Sequence, residues 1–157
     1  MIDTSKKFLV AGAGKSGIGS VNLLLKTGAD VSLYDGNEEL DKEALFEKLY
    51  EKKEISLVLG NITKEDIEKY DLLVLSPGIS VNAPIAQMFY DQEKPVWSEI
   101  ELAYQASKGK IAAITGTNGK TTTTALTGEI MKGYYEQLCC GKYWNSIYKC
   151  STRYTRK

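Results

Sequence analysis

Apolar positions occur along this chain in short unbroken runs, separated by longer stretches in which they recur at helical spacing. Residues 7–11 (Lys-Phe-Leu-Val-Ala) form the first run and end in glycines, after which Ile18, Val21, Leu24 and Leu25 repeat every three to four positions up to Gly28. The pattern predicts strand, glycine-rich turn, helix. Residues 30–35 alternate with period two as a second strand, residues 38–52 read as a charged amphipathic helix, and residues 55–59 as a third strand. A short helix over 62–69 then leads to a wholly apolar strand at 71–75. The loop Ser76-Pro-Gly-Ile-Ser80 follows, and then a helix with Asn82 as its N-cap and Pro84 in its first turn. Residues 95–97 are briefly extended, 99–107 helical, 110–114 a strand, and a last helix runs from about Thr121 to Met131. Continuous apolar strands alternating with helices imply an α/β fold whose parallel sheet is covered on both faces. The polar stretch Asp91-Gln-Glu-Lys-Pro95 suggests a boundary, giving a Rossmann-like domain over 1–94 and the start of a second α/β domain over 95–137.

Composition narrows the partners. Of 157 residues, 20 are basic and 20 acidic, so there is no global field to draw in nucleic acid or an anionic membrane, and any anion must be held by a local site. No apolar run approaches the length of a membrane span and no secretory signal is legible, which makes the cytoplasm the expected location. Histidine is absent, which excludes a His general base and a Cys/His zinc site, and the three cysteines at 139, 140 and 150 have no recognised metal-ligand spacing.

Two glycine-rich turns carry the candidate chemistry. Gly12-Ala-Gly14-Lys-Ser-Gly17 follows a strand and opens a helix, where backbone N–H groups and the helix N-terminus can meet a phosphate. Asp35, ending the second strand, stands where a carboxylate would accept hydrogen bonds from a ribose or a base, while Lys15 and Ser16 could contact phosphate oxygens, a lysine there being equally at home as a solvated surface residue. The pattern admits a nucleotide-bearing ligand, NAD among them, and also a turn whose glycines merely permit tight packing. The second turn, Gly116-Thr-Asn-Gly119-Lys120-Thr121, resembles a P-loop and so points to a P-loop ATPase-type second domain. There Lys120 would neutralise phosphates and Thr121 would bring a hydroxyl to Mg²⁺. It departs from the strict motif in having Ile114 where the first glycine belongs. Thr121 to Thr124 suit a helix entry better than a helix interior. Ser76-Pro77-Gly78 lies at the carboxyl edge of the expected sheet, as a ligand contact or as an ordinary turn.

The ordered set Gly12-Ala-Gly-Lys-Ser-Gly17, Asp35, Ser76-Pro-Gly-Ile79, Ser98-Glu-Ile-Glu-Leu-Ala103 and Ile114-Thr-Gly-Thr-Asn-Gly-Lys-Thr-Thr122 closely resembles the Mur ligases of peptidoglycan synthesis, their D-glutamate-adding branch above all. The resemblance covers residues 1 to about 137. It implies an ATP-dependent amide ligase that activates the carboxylate of UDP-N-acetylmuramoyl-L-alanine as an acyl phosphate for attack by the amine of D-glutamate. It also implies that Lys15, Ser16, Asp35, Gly36, Ser76, Pro77 and Gly78 hold the UDP-sugar. Gly116, Thr117, Asn118, Gly119, Lys120, Thr121 and Thr122 would then hold ATP, with Lys120 on the phosphates and Thr121 at Mg²⁺. An isolated UDP-sugar or NAD-binding module is the alternative.

Beyond residue 133 the composition changes. Both arginines, all three cysteines and five of the ten tyrosines lie there, and no acid follows Glu136. The family continues at this point with an apolar strand and a Gly-Asn-Ile-Gly turn, then metal-binding residues and a C-terminal domain that holds the incoming amino acid. Back-translated with permitted codons and read one nucleotide later, the tail yields Val-Val-Gly-Asn-Ile-Gly. The expectation is a frameshifted tail over 138–157 and a chain inactive as a ligase.

Overall fold

The computed structural model describes residues 2–107 and 109–134; the expected aberrant tail lies outside them. The chain divides into two compact units, one ending at Ala106 and the other beginning at Ser107.

The first unit is built on five parallel strands, β1 (Lys7–Ala11), β2 (Asp30–Asp35), β3 (Ser56–Leu59), β4 (Leu72–Leu75) and β5 (Val96–Ser98), in the order β3-β2-β1-β4-β5. Its helices are α1 (Lys15–Thr27), α2 (Lys42–Phe46), α3 (Lys64–Glu68), α4 (Pro84–Asp91) and α5 (Glu99–Ala106). Parallel neighbours cannot be joined by hairpins, so each connection crosses a face of the sheet and covers it. The central strands are accordingly apolar on both sides: Phe8 to Ala11 in β1 and Leu72 to Leu75 in β4 are all buried. On one face Leu9, Ala11, Leu73 and Leu75 pack with Ile67, Tyr70, Ile85, Ala86 and Phe89. On the other, α1 buries Val21, Leu23, Leu24 and Leu25, and Phe8 meets the Trp97 ring at 6.4 Å.

β1 leads to β2 on one side of the sheet, and β4 lies on the other. The carboxyl ends of β1 and β4 therefore flank the point where the winding reverses, and a crevice opens there by topology alone.

Several elements differ from the expectation. β5 pairs in parallel with β4 (Leu73 with Val96, Leu75 with Ser98) and α5 packs on α1, so the break between units falls after Ala106, later than the 94/95 boundary suggested by the polar stretch. That stretch is the turn entering β5. The expected helix over 38–52 shrinks to α2 and a 3-10 turn at Tyr50–Lys52. Asp41 caps α2 through the Ala44 N–H (3.0 Å), while Asn22 of α1 donates to the Lys48 carbonyl (3.0 Å) and accepts from the Tyr50 N–H (2.6 Å). Those two tertiary bonds hold the backbone off the helical path, and Glu51 and Lys52 take left-handed conformations (φ 55° and 49°). Asn82 is not the α4 cap: Ala83 holds that position without a side-chain bond, and Pro84 begins the helix.

In the second unit, α6 (Lys120–Met131) forms as expected, but residues 110–114 are not a strand. Among the described residues no strand pairs with them, and an extended run without a ladder partner is not a sheet. Leu126 and Ile130 of α6 are about 60% exposed, and only Gly128 of that helix is buried.

Candidate functional site

A cleft of about 490 Å³ occupies the switch point of the first unit. Three separate segments line it: Gly12, Gly14, Lys15 and Ser16 from the turn after β1, Asp35 and Gly36 from the end of β2, and Ser76, Pro77, Gly78 and Ile79 from the turn after β4. All seven residues expected to hold the sugar nucleotide thus meet in one place. Gly12, Gly14 and Ile79 line it too and were not singled out as contacts. The signal for the glycines was the first half of the G-x-G-x-x-G spacing, where backbone stands in for a side chain.

The turn is held by bonds from both neighbouring strands. The Gly12 N–H donates to the Tyr34 carbonyl (2.7 Å), the Ser76 N–H to the Ala11 carbonyl (3.1 Å), and the Ser76 hydroxyl lies 3.4 Å from the Gly12 carbonyl. Gly12 sits at φ 97°, and a Cβ there would come within 3.0 Å of the Ser76 hydroxyl. At Gly17 a Cβ would overlap the Gly12 carbonyl oxygen at 1.7 Å. These two glycines are demanded by the protein itself. Gly14 and Gly78 are not: neither has left-handed backbone, and a Cβ at either would meet nothing within 4 Å. Their missing side chains leave room in the cleft rather than relieving a clash.

Asp35 links the two turns. Its Oδ2 accepts from the Ala13 N–H (2.7 Å) and its Oδ1 from the Asn37 N–H (3.0 Å), so both carboxylate oxygens are engaged by backbone. Beside it, α1 starts at Lys15 after Gly14 at the N-cap, with no side-chain cap and no acidic residue in its first turn. Its first N–H groups and the positive end of its dipole face the cleft beside Lys15, the one cationic side chain in the lining. The start of α1 thus suits phosphate oxygens, while the Asp35 carboxylate takes up the Ala13 N–H just before it.

The second candidate site is a separate, open structure. Gly116 (φ 146°) and Gly119 (φ 75°) give the loop its bends, with Gly119 capping α6. Residues 116–122 are all exposed. The Lys120 ammonium turns back on its own loop, donating to the carbonyls of Gly116 and Thr117 (3.0 Å to the latter). The Thr124 hydroxyl donates to the Lys120 carbonyl (2.8 Å), which draws it into the helix. Thr121 and Thr122 are exposed at the start of α6. Among the described residues no group of three His, Cys, Asp or Glu side chains is disposed to hold a metal. No helix there is long and apolar enough to cross a membrane.

A parallel sheet in the order 3-2-1-4-5, with a glycine-rich first turn at its switch point, defines the first unit as a Rossmann-like α/β domain. Residues 6–98 match the family described as the Mur ligase MurD-like, N-terminal domain, and the chain belongs to that family. It is 53% identical over 133 residues to the UDP-N-acetylmuramoylalanine–D-glutamate ligase of Lachnospira eligens, and 50% identical over 133 residues to that of Lachnoclostridium phytofermentans. Each match covers 85% of this chain and 29% of the relative, so the chain spans under a third of the length of these ligases. Among solved structures it resembles a pseudomurein peptide ligase type C from Methanothermus fervidus (26% identity, TM-score 0.53, 81% of this chain and 26% of that one). The UDP-N-acetylmuramate-alanine ligase MurC of Thermotoga maritima shares the fold (24% identity, TM-score 0.50, 81% and 29%).

Proposed function

We propose that the first unit is the UDP-substrate-binding part of an amide ligase of peptidoglycan synthesis, which joins D-glutamate to UDP-N-acetylmuramoyl-L-alanine. The observation that carries this reading is the switch-point cleft, where Lys15, Ser16, Asp35, Gly36, Ser76, Pro77 and Gly78 converge from three separate segments. The uncapped N-terminus of α1 with Lys15 would take the diphosphate, since backbone N–H groups and the helix dipole both favour an anion there. The relatives that the chain matches at 50% identity or more are ligases named for a UDP-N-acetylmuramoyl substrate, which favours a UDP-sugar over NAD here.

Lys120 and the hydroxyl of Thr121 are the donor set that ATP phosphates and Mg²⁺ require, and Gly116 to Thr122 would form the cradle. When bound, ATP supplies the phosphoryl group that activates the substrate carboxylate as an acyl phosphate. Lys120 would have to leave the Gly116 and Thr117 carbonyls to meet it. In this exposed state the loop is not poised for phosphoryl transfer, and we propose that the chain alone gives no ligase turnover.

Thermal melting tests the first assignment. A ligand that binds only the folded state at 100 times its Kd stabilises by about 2.7 kcal/mol. UDP-N-acetylmuramoyl-L-alanine is expected to raise Tm and NAD to leave it unchanged; the reverse result overturns the reading. Lys120→Ala is expected to remove ATP binding and spare UDP-sugar binding, and loss of both would merge the two sites into one.

A further inference from the structure

We propose that Asn118 is a self-modification site, where the chain loses a side-chain amide to its own backbone and is left with a carboxylate in the loop at 116–122. Ring closure from an asparagine side chain onto the next backbone nitrogen needs a following residue without a Cβ, an N–H not committed elsewhere, and an exposed segment. Asn118 meets all three conditions. Gly119 follows it, both residues are exposed, and the space where a Cβ on Gly119 would stand is open to 4 Å. Among the described residues neither the Asn118 side chain nor the Gly119 N–H makes a hydrogen bond, since the loop is tied through Lys120 to the Gly116 and Thr117 carbonyls. Gly119 is the N-cap of α6, so its nitrogen stands at the positive end of the helix dipole, which favours the deprotonated form that attacks.

The step needs water and no other reactant. The Gly119 nitrogen gives up its proton and attacks Asn118 Cγ; an N–Cγ bond forms, the Cγ–Nδ2 bond breaks, and ammonia leaves with the proton. Water then opens the cyclic imide at either carbonyl, giving an aspartyl residue or an isoaspartyl residue whose chain runs through the former side chain. Comparable positions are closed to this chemistry. Asn37, Asn61 and Asn82 are exposed as well, but Glu38, Ile62 and Ala83 follow them, and a Cβ there crowds the attacking nitrogen. At Asp35 a glycine does follow a carboxyl group, yet both of its oxygens are held by the Ala13 and Asn37 N–H groups. The consequence rests on the ATP reading of this loop: a carboxylate two residues from Lys120 competes for its ammonium and repels phosphates.

The test is incubation of the full chain at neutral and at mildly alkaline pH, followed by peptide mass mapping, an ammonia assay and calorimetry with ATP and Mg²⁺. The expected result is a gain of one mass unit on the peptide carrying residue 118, faster at the higher pH and matched by ammonia, with none at Asn37, Asn61 or Asn82. Asn118→Gln would have to close a six-membered ring and should keep its mass over the same period; its Tm should match wild type, since the Asn118 side chain holds nothing else in place. The modified chain should bind ATP about tenfold more weakly than the fresh chain, the loss of one contact to a charged group. No gain at residue 118, or equal gains at the other three asparagines, overturns the inference. A modified chain that binds ATP as the fresh one does overturns its consequence. A fresh chain that gains the mass but never binds ATP overturns the ATP reading and leaves the modification site standing.

Discussion

The chain carries two glycine-rich turns at helix N-termini, each with a lysine at or next to the first helical residue, and they end in very different surroundings. The turn at Gly12 to Gly17 is pinned by the Tyr34 carbonyl, the Asp35 carboxylate and Ser76, all supplied by strands distant in sequence. The loop at Gly116 to Thr122 is tied mainly to itself, through Lys120 on the Gly116 and Thr117 carbonyls. Local chemistry makes a turn that can receive phosphate; preorganisation comes from neighbours in space. A turn whose donors are already fixed loses little freedom on binding, whereas a loop whose lysine is spent on its own carbonyls must first rearrange.

The difference can be broken directly at the glycines. Gly17→Ala would drive a Cβ into the Gly12 carbonyl, and backbone there cannot swing aside as a flexible side chain would. A loss of about 2–4 kcal/mol is expected, read as a fall in the melting temperature with collapse of UDP-sugar binding. Gly119→Ala meets no atom within 4 Å and bears only the strain of a left-handed backbone, about 1 kcal/mol, confined to the start of α6. Equal effects of the two changes would mean that the turns are equally embedded.

The same contrast applies to apolar packing. Phe89→Ala removes a fully buried ring from the cluster on Leu9, Leu73 and Leu75, and should cost about 3–5 kcal/mol in denaturant unfolding. Leu126→Ala on exposed α6 should change the same midpoint by less than about 0.5 kcal/mol. An effect between these two is expected of Asp35→Asn, which removes one acceptor from the pair holding Ala13 and Asn37. About 1–2 kcal/mol, or roughly tenfold in UDP affinity, should be lost as the first turn loosens. ATP binding at the second loop should be unaffected, and calorimetry with both nucleotides would show it.

The mildest probe is pH. Hydrogen bonds from the Thr63 N–H and hydroxyl hold the Asp66 carboxyl below its usual range in the capping box of α3. A group depressed on folding stabilises the fold above its unfolded value and loses that contribution as pH falls through the folded one. An acid titration of stability should therefore show a small loss below about pH 4 that Asp66→Asn removes. The carboxylate is fully exposed, so salt and water keep the effect slight.

The five strands of the first unit, the crossover rhythm and the two glycine-rich turns at helix starts were legible from the sequence because they rest on local causes. A buried parallel strand is a continuous apolar run, as Leu72 to Leu75 are, and a helix start is marked by residues that cap or permit it, as Thr63, Pro84 and Gly119 do. The shortened helix after β2 was not legible, because Asn22 lies on another element and reaches Lys48 and Tyr50 only once the chain has folded. The missing strand at 110–114 teaches the same in reverse: its residues favour extension, yet a strand exists only with a partner.

By itself the sequence determined that this is an α/β protein with a parallel sheet, two glycine-rich turns at helix starts and no imidazole chemistry, since apolar periodicity, glycine placement and composition are properties of single segments. Only the tertiary structure decided that three of those segments share one cleft and that Asp35 is engaged by the turns it joins. The physical reason is that strand order is a choice among long-range pairings. Which loops meet at the switch point follows from that order, not from any residue's local preference.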